Sequence, residues 1–193
     1  MDFRLNEEQL AVQEMTRRFV RDKVWPGVRE RDEQGEIPDA LRRELLEMGY
    51  GGMMIPEDWG GMGMDSISYS LALEEISAAD ASLAVALSVT NSLGCAPIER
   101  FGTPEQKERY LRKLAGGEWL GAFCLTEAGA GSDASNQTTT AVREGDHYIL
   151  NGTKSYVTNG SRADLFLVIC VTGHKDGKSL KTALLVEKDS PGL

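Results

Sequence analysis

A glycine-rich segment holds the residues of this chain that are best suited to binding phosphate. Gly129-Ala130-Gly131-Ser132-Asp133-Ala134 follows a predicted strand. Successive backbone N–H groups in such a turn bind anions, and the Ser132 hydroxyl adds a donor. The spacing also fits G-x-G-x-x-A, but that dinucleotide-binding turn opens a helix, and residues 136–140 (NQTTT) favour a strand. Two interpretations stay open: a phosphate-binding loop, or a tight strand exit made with two glycines.

The other groups capable of acid, base or metal chemistry stand apart from one another. His147 and His174 lie beside predicted turns, and neither has a Cys or His at the spacing of metal ligands. No metal site and no Ser/His/Asp arrangement is therefore predicted. Glu127, two residues before the glycine-rich segment, is interpreted as a structural residue, because its surroundings in the sequence give no sign of a raised pKa.

The composition excludes several classes of protein. With 21 Lys and Arg against 30 Asp and Glu, the 193-residue chain carries a net charge of −9. Binding to nucleic acid or to an anionic membrane through a basic face is therefore disfavoured. The three cysteines are too widely spaced for a disulfide framework and indicate a reducing compartment. The charged start, MDFRLNEEQ, lacks the apolar stretch of an export signal, so a cytoplasmic location is predicted.

The elements that position these residues change type near Gly116-Gly117. Before that point, apolar residues recur at helical spacing, and after it short β-branched runs alternate with Asn-Gly and Gly-Asp turns. Helices are predicted over 7–24, 38–48, 65–78, 81–94 and 104–115. Strands are predicted over 119–125, 137–143, 147–150, 153–158, 164–171 and 181–187. The pattern predicts a helical part followed by an antiparallel barrel or sandwich, and not alternating strands and helices.

Two stretches of the first half need separate interpretation. Residues 81–97 carry no charge but are short for a membrane span and include five polar residues, so a central buried helix is predicted. The glycine-rich residues 49–63 also contain Met53, Met54, Ile55 and Trp59. Because such side chains have no reason to be exposed, an ordered connection is predicted there rather than a flexible linker.

Five segments of the chain fit one pattern. They are IPEDWGG (55–61), FGTPEQK (101–107), LTEAGAGSD (125–133), NGTKSYVTNG (151–160) and VEKDSPG (186–192). These segments stand in the same order and at similar separations as in the acyl-CoA dehydrogenases, and they span nearly all of the chain. The sequence therefore resembles a member of that family.

The resemblance implies a multi-domain fold: an N-terminal all-α helical bundle (1–118) and an incomplete antiparallel β-barrel-like middle domain (119–193), with the chain truncated before a C-terminal helical domain. Members of the family bind FAD between the middle and C-terminal domains and form dimers or tetramers. They catalyse α,β-dehydrogenation of an acyl-CoA thioester: a glutamate removes the α proton while a hydride leaves the β carbon for flavin N5. That glutamate usually belongs to the C-terminal domain, so no catalytic residue is predicted among these 193 residues.

The resemblance also implies individual roles. Thr126, together with the backbone near Phe123 and Leu125, matches positions that hydrogen-bond the flavin pyrimidine edge. Gly131 and Ser132 match the contact with the cofactor pyrophosphate, and Ser132 also lies where the CoA part of the substrate passes. Tyr156 matches an aromatic residue that packs on the flavin ring, although most relatives have tryptophan there, and Thr158 matches a hydroxyl near the flavin carbonyl and N5. A second departure is Asn136, which stands where a small residue is usual.

The expected function is thus that of a flavin-dependent acyl-CoA dehydrogenase. Its expected partners are an acyl-CoA substrate, an electron acceptor such as an electron-transfer flavoprotein and further copies of itself, with no nucleic acid and no membrane insertion. Alternatives on the same scaffold are an acyl-CoA oxidase, a nitroalkane oxidase and a DNA-binding alkylation-response protein. A non-catalytic helical interaction module is the alternative from another class. The 193 residues alone are expected to bind FAD weakly and not to turn over.

Overall fold

The computed structural model of the protein describes residues 4–193, which fall into two compact units. The first unit ends at Trp119 and is helical, whereas the second, Leu120–Leu193, contains the strands. Residues 1–3 of the charged segment considered above for an export signal lie outside the described residues. The sequence predicts this order, because apolar residues recur at helical spacing in the first half and short β-branched runs follow in the second.

Several helices of the first unit continue as π-helical turns. Their bounds are α1 Glu7–Phe19 with π-helical Val20–Val24, α2 Val28–Gln34, α3 Asp39–Glu47, α4 Ser66–Ala79, α5 Ala81–Ser88 with π-helical Val89–Cys95 and α6 Ala96–Phe101, and α7 Pro104–Gln106 with π-helical Lys107–Leu111 and α8 Arg112–Ala115. The five predicted helices are confirmed, and the fourth runs on to Phe101. The additional helix α2 has no sequence signal, because VRERDEQ contains a single apolar residue and so no helical periodicity.

Capping residues explain where helices begin. The Gln9 N–H donates to Asn6 Oδ1 at 2.8 Å, and the Asn6 N–H donates to Gln9 Oε1 at 3.0 Å. Thr103 and Gln106 form the same reciprocal pair at the start of α7. Each pair satisfies N–H groups that the helix itself leaves without a partner.

The continuous helical segment Ala81–Phe101 passes through the core of the first unit. Leu83, Leu87 and Cys95 are fully buried in it, which confirms the predicted central helix. With a mean hydropathy of 1.4, it is also long and apolar enough to cross a membrane by length and composition alone. However, 56% of its apolar window is buried in the structure, as in the core helix of a bundle.

The connection over residues 49–63 is ordered, as predicted. Tyr50, Met53 and Ile55 are each at most 2% exposed. The Met54 N–H donates to Oδ1 of Asn91, a fully buried residue of the central helix, at 3.1 Å. A backbone amide held by a buried side chain would not suit a flexible linker.

A buried ion pair links α2 to the start of α5. Arg31 Nε donates to Asp80 Oδ2 at 3.0 Å, and both side chains are only 9% exposed. The guanidinium also donates to the carbonyl oxygens of Val24, at 2.6 Å, and Pro26, at 3.1 Å. Asp80 Oδ1 in turn accepts from the Leu83 N–H at 3.1 Å and caps α5. The pair therefore joins the end of the first helix, α2 and α5.

The second unit is a five-stranded mixed sheet that is not closed. Its strands are β1 Gly121–Cys124, β2 Thr140–Glu144, β3 His147–Asn151, β4 Leu165–Lys175 and β5 Lys178–Glu187. β4 lies between β1 and β2 and also pairs with β5. The hairpins β2–β3 and β4–β5 are antiparallel, but β1 and β2 both run parallel to β4. This part of the fold differs from the predicted antiparallel arrangement, because alternation of residues along a strand carries no information on the direction of its partner.

The strand predicted over 153–158 is wrong. This segment is irregular, and Tyr156 has φ 56°, a left-handed conformation that ends extended structure. Asn159 follows with φ 64°. The β-branched residue Val157 of this segment packs against the core of the unit, which includes Ala122 and Phe166, instead of joining a strand.

Candidate functional site

The end of β1 carries the first of the predicted site residues. Phe123 lies within β1 opposite Leu167 of β4, and Leu125 and Thr126 follow directly. These three residues, which are predicted to contact the flavin, are half-buried. The Thr126 carbonyl accepts a hydrogen bond from the Ser155 N–H at 2.8 Å, so this segment is joined to residues 153–158 although the two share no strand pairing.

The glycine-rich loop after β1 does not need its glycines for its own conformation. Gly129 and Gly131 have no left-handed φ, and a Cβ added to either would meet nothing within 4 Å. Ser132 is exposed, and its N–H and hydroxyl form no hydrogen bond with the described part of the chain. Glu127 and Ala130 exchange two backbone hydrogen bonds of 3.1 Å, so the chain does leave β1 in a tight turn. That turn does not require a glycine, and the backbone beyond it, at Gly131 and Ser132, is open to an anion.

Hydrogen bonds from the side chains of Asn136 and Lys181 hold the glycine-rich loop in place. Asn136 Nδ2 donates to the Gly129 carbonyl at 3.1 Å, and the Asn136 N–H donates to the Asp133 carbonyl at 3.2 Å. Lys181 Nζ, from β5, donates to the Ser135 carbonyl at 2.9 Å. Asn136, which stands where relatives usually have a small residue, thus bonds the end of the loop back to Gly129.

Replacing Asn136 with alanine should loosen this loop without unfolding the unit. The loss of one side-chain hydrogen bond is worth about 0.5–1.5 kcal/mol, so amide hydrogen exchange over residues 129–136 should accelerate about 2- to 10-fold. Exchange measured by mass spectrometry checks this, with Asn151→Ala as the control, because the Asn151 side chain is exposed and forms none of the hydrogen bonds described. Equal exchange in both variants would show that Asn136 does not brace the loop.

A buried ion pair lies at the base of the loop. Lys154 Nζ is 2.8 Å from Glu127 Oε1, and the two side chains are 8% and 5% exposed. Glu127 also accepts from the N–H and hydroxyl of Thr138, at 2.7 and 2.6 Å, and from the Thr139 N–H at 3.0 Å. Lys154 donates a second hydrogen bond to the Leu125 carbonyl at 3.0 Å. One carboxylate thus ties the start of the loop to its end and, through Lys154, to the segment after β3.

Glu127 is held ionised in this setting. Burial acts to raise its pKa, but the hydrogen bonds from Lys154, Thr138 and Thr139 outweigh burial and keep the pKa well below its usual range. The resulting stabilisation is present above the pKa of the unfolded carboxyl and is lost only as the pH falls through the lowered value of the folded state. Glu127 is therefore a structural anion, in agreement with its interpretation from the sequence.

The last two predicted site residues lie on the irregular segment after β3. Tyr156 is 96% exposed and follows Ser155, whose N–H is bonded to Thr126. Thr158 is half-buried, and the next residue, Asn159, donates from Nδ2 to the Gly121 carbonyl at 2.9 Å. The segment is thus bonded at one end to Thr126, just after β1, and at the other end to Gly121 of β1, and it presents Tyr156 to solvent.

The structure thus joins the three segments that carry the seven predicted site residues. Sequence reasoning missed the residues that join them, above all Lys154. Its only signal is its position inside the NGTKSYVTNG segment, since 27 residues separate it from Glu127. In the part of the chain that the structure describes, no group of His, Cys, Asp and Glu side chains could hold a metal ion.

Comparison with known proteins identifies both halves of the chain. Residues 6–118 match the family model described as "Acyl-CoA dehydrogenase, N-terminal domain", and residues 122–193 match "Acyl-CoA dehydrogenase, middle domain". A relative from Bacillus subtilis, "Probable acyl-CoA dehydrogenase YngJ", is 43% identical over 194 residues, covering 100% of this chain and 51% of its own length.

Two solved structures are similar throughout the chain. Butyryl-CoA dehydrogenase from Megasphaera elsdenii has a TM-score of 0.93 at 42% identity, covering 100% of this chain and 51% of its own. A glutaryl-CoA dehydrogenase from Mycobacterium smegmatis in complex with FADH2 has a TM-score of 0.90 at 34% identity, covering 97% and 47%. The chain spans about half the length of the curated relatives it matches. It belongs to the acyl-CoA dehydrogenase family.

Proposed function

We propose that the protein is an FAD-dependent acyl-CoA dehydrogenase that converts an acyl-CoA thioester to the enoyl-CoA. The observation that carries the proposal is the glycine-rich loop, where a Cβ on Gly129 or Gly131 would meet nothing within 4 Å. Among the described residues, the Ser132 donors have no hydrogen-bond partner. A phosphate group can approach such a backbone closely, and neutral donors suit an acidic chain that binds polyphosphate ligands.

The residues of this chain fit FAD on the same grounds. Gly131 and Ser132 would hold the pyrophosphate, with Ser132 also near the CoA portion of the substrate. Thr126 and the backbone around Phe123 and Leu125 would face the pyrimidine edge. Bound FAD would supply the acceptor for the hydride that leaves the substrate β carbon.

Two further residues complete the proposed flavin contacts. Tyr156, almost fully exposed, offers a free aromatic face on which a planar ring can pack. Thr158 would place a hydroxyl near the flavin carbonyl and N5. Fixed donors around the ring favour the charge that develops on reduction, because they need no reorganisation during the reaction.

The proposal assigns no catalytic base among the described residues. Glu127 is excluded because its carboxylate is buried, paired with Lys154 and supplied with three further hydrogen bonds. A group with so low a pKa is a poor acceptor for an α proton. We assign that step to a glutamate outside these 193 residues.

The remaining parts of the proposal concern the setting of the enzyme. We propose an electron-transfer flavoprotein as the acceptor that reoxidises the enzyme, a homodimer or homotetramer as its assembly, and the cytoplasm as its location. The net charge of −9 is consistent with a protein that does not bind nucleic acid.

Anaerobic titration of the full-length protein with acyl-CoA thioesters tests the function. We expect the protein to hold FAD and expect at least one saturated acyl-CoA to bleach the absorbance of the oxidised flavin, with the enoyl-CoA formed in equal amount. A flavin that no chain length reduces would overturn the proposal. Rapid reoxidation of the reduced protein by oxygen, with hydrogen peroxide formed, would identify an oxidase instead.

A further inference from the structure

Phe123 lies within β1, but the other six predicted flavin contacts lie on segments that the sheet does not hold together. β1 ends at Cys124, before Leu125 and Thr126, and β3 ends at Asn151, before Tyr156 and Thr158. The glycine-rich loop between them contains no strand. Their mutual placement must come from contacts other than the hydrogen-bond ladders.

The Glu127–Lys154 pair makes contacts of this kind to all three segments. Glu127 bonds to Thr138 and Thr139 at the far end of the glycine-rich loop, and Lys154 bonds to the Leu125 carbonyl beside Thr126. Lys154 also directly precedes Ser155, whose N–H is bonded to Thr126. Each of the three segments is therefore attached to one ion pair that is less than a tenth exposed.

The two partners balance each other's charge in a setting with little water. Removing one partner from a buried pair leaves the other uncompensated, whereas replacing both with uncharged residues of similar size leaves no net charge. The pair lies against the Leu125–Thr126 segment, where the proposed function puts the pyrimidine edge of the flavin. An unbalanced charge there would act on a ring that gains negative charge when it is reduced.

We propose that Glu127 and Lys154 are a positioning pair for the flavin: they set the relative placement of its three contact segments, and their balanced charges tune its reduction potential. This inference rests on the proposed function. Neither residue touches the reacting atoms in the proposal, and both act through the backbone of Leu125 and Thr126 and through the glycine-rich loop.

Three variants of the holoprotein test the pair: Glu127→Gln, Lys154→Met and the double variant. In each we expect FAD binding to the apoprotein, followed by flavin fluorescence, to weaken about tenfold or more, since hydrogen bonds to charged groups are lost. The reduction potential, measured by dye equilibration, should rise in Glu127→Gln, which leaves an unbalanced cation, and fall in Lys154→Met, which leaves an unbalanced anion. In the double variant it should return close to that of the unmodified protein.

Lys188→Met is the matched control. Lys188 is also paired, with Asp164 in the same unit, but the two side chains are 54% and 20% exposed, against 8% and 5% for Lys154 and Glu127. We expect unchanged FAD affinity and potential there, since water can solvate the charge that remains.

The results separate this inference from the proposed function. A protein that holds no FAD, or whose flavin no acyl-CoA reduces, contradicts the function. If acyl-CoA reduces the flavin but the two single variants shift its potential in the same direction or not at all, the positioning pair is wrong. Should the single variants fail to fold, the double variant decides: FAD affinity equal to that of Lys188→Met would overturn the inference, and weakened affinity with a near-normal potential would support it.

Discussion

Replacing Arg31 with methionine is expected to destabilise the helical unit by about 3–5 kcal/mol, the cost of breaking a buried ion pair from one side. The Asp80 carboxylate, 9% exposed, would lose its cationic partner. The Val24 and Pro26 carbonyls would lose their guanidinium donors as well. Methionine can fill much of the space of the arginine stem but offers no hydrogen-bond donor.

Urea unfolding followed by tryptophan fluorescence measures this effect, because Trp25, Trp59 and Trp119 all lie in the helical unit. Arg18→Met is the control. Arg18 pairs with Glu14 one turn away on the surface, where the two side chains are 67% and 49% exposed. A surface pair of this kind is worth about 0–1 kcal/mol. An Arg31→Met variant that unfolds at the same urea concentration as Arg18→Met would contradict the prediction.

The double variant Arg31→Met/Asp80→Asn shows whether the loss comes from the stranded charge. Asparagine keeps a side-chain oxygen that can cap α5 but carries no charge to leave unbalanced. We expect the double variant to be more stable than Arg31→Met alone. A double variant no more stable than the single one would mean that the carbonyl contacts, and not the ion pair, dominate the energy.

Local signals in the sequence account for most of the fold. Asn6 and Thr103 begin helices because their side chains satisfy local N–H groups, and this can be read from four residues. The strand directions could not be read in this way, because β1 and β4 pair in parallel across a separation of 44 residues in register, as Gly121 opposite Leu165. The error over 153–158 has a similar origin: β-branched residues were available there, but Tyr156 adopts a left-handed φ that no local pattern indicates.

The candidate site was predictable as motifs and not as an arrangement. The resemblance supplied Thr126, Ser132 and Thr158 as separate positions, and the structure brings their segments together. The residues that join them, Glu127 and Lys154, are far apart in sequence, and a lone lysine after Asn-Gly reads as a solvated charge. Only the fold shows that this lysine is buried against a carboxylate.

Replacing Gly152 with alanine is expected to destabilise the second unit strongly. Gly152 has φ 153°, which a side chain disfavours, and an added Cβ would lie 2.5 Å from Thr139 Oγ1 and 2.7 Å from Thr139 Cα. Strain and overpacking together should cost about 3 kcal/mol or more. The displacement would fall between Thr139, which donates to Glu127, and Lys154, two residues after the glycine. The variant should therefore lose both stability and FAD affinity.

Thiol labelling in urea resolves the two units, since Cys124 and Cys170 are buried in the second and Cys95 in the first. Burial raises the pKa of Cys124 to about 11, so its thiol should react only after the unit opens. In Gly152→Ala, Cys124 and Cys170 should be labelled at lower urea while Cys95 is unchanged.

Gly131→Ala is the matched comparison for the glycine-rich loop. An alanine there has room and needs no left-handed φ, so the thiols of the second unit should stay protected. Its methyl group would nevertheless stand where the proposal places the pyrophosphate, and FAD should bind about tenfold more weakly. A Gly131→Ala variant that binds FAD normally would remove the case for this loop as the phosphate site. For Gly152→Ala, unchanged thiol protection would contradict the prediction. It would mean that the backbone after β3 can shift to accommodate the methyl group, and that the placement of Lys154 does not require a glycine at position 152.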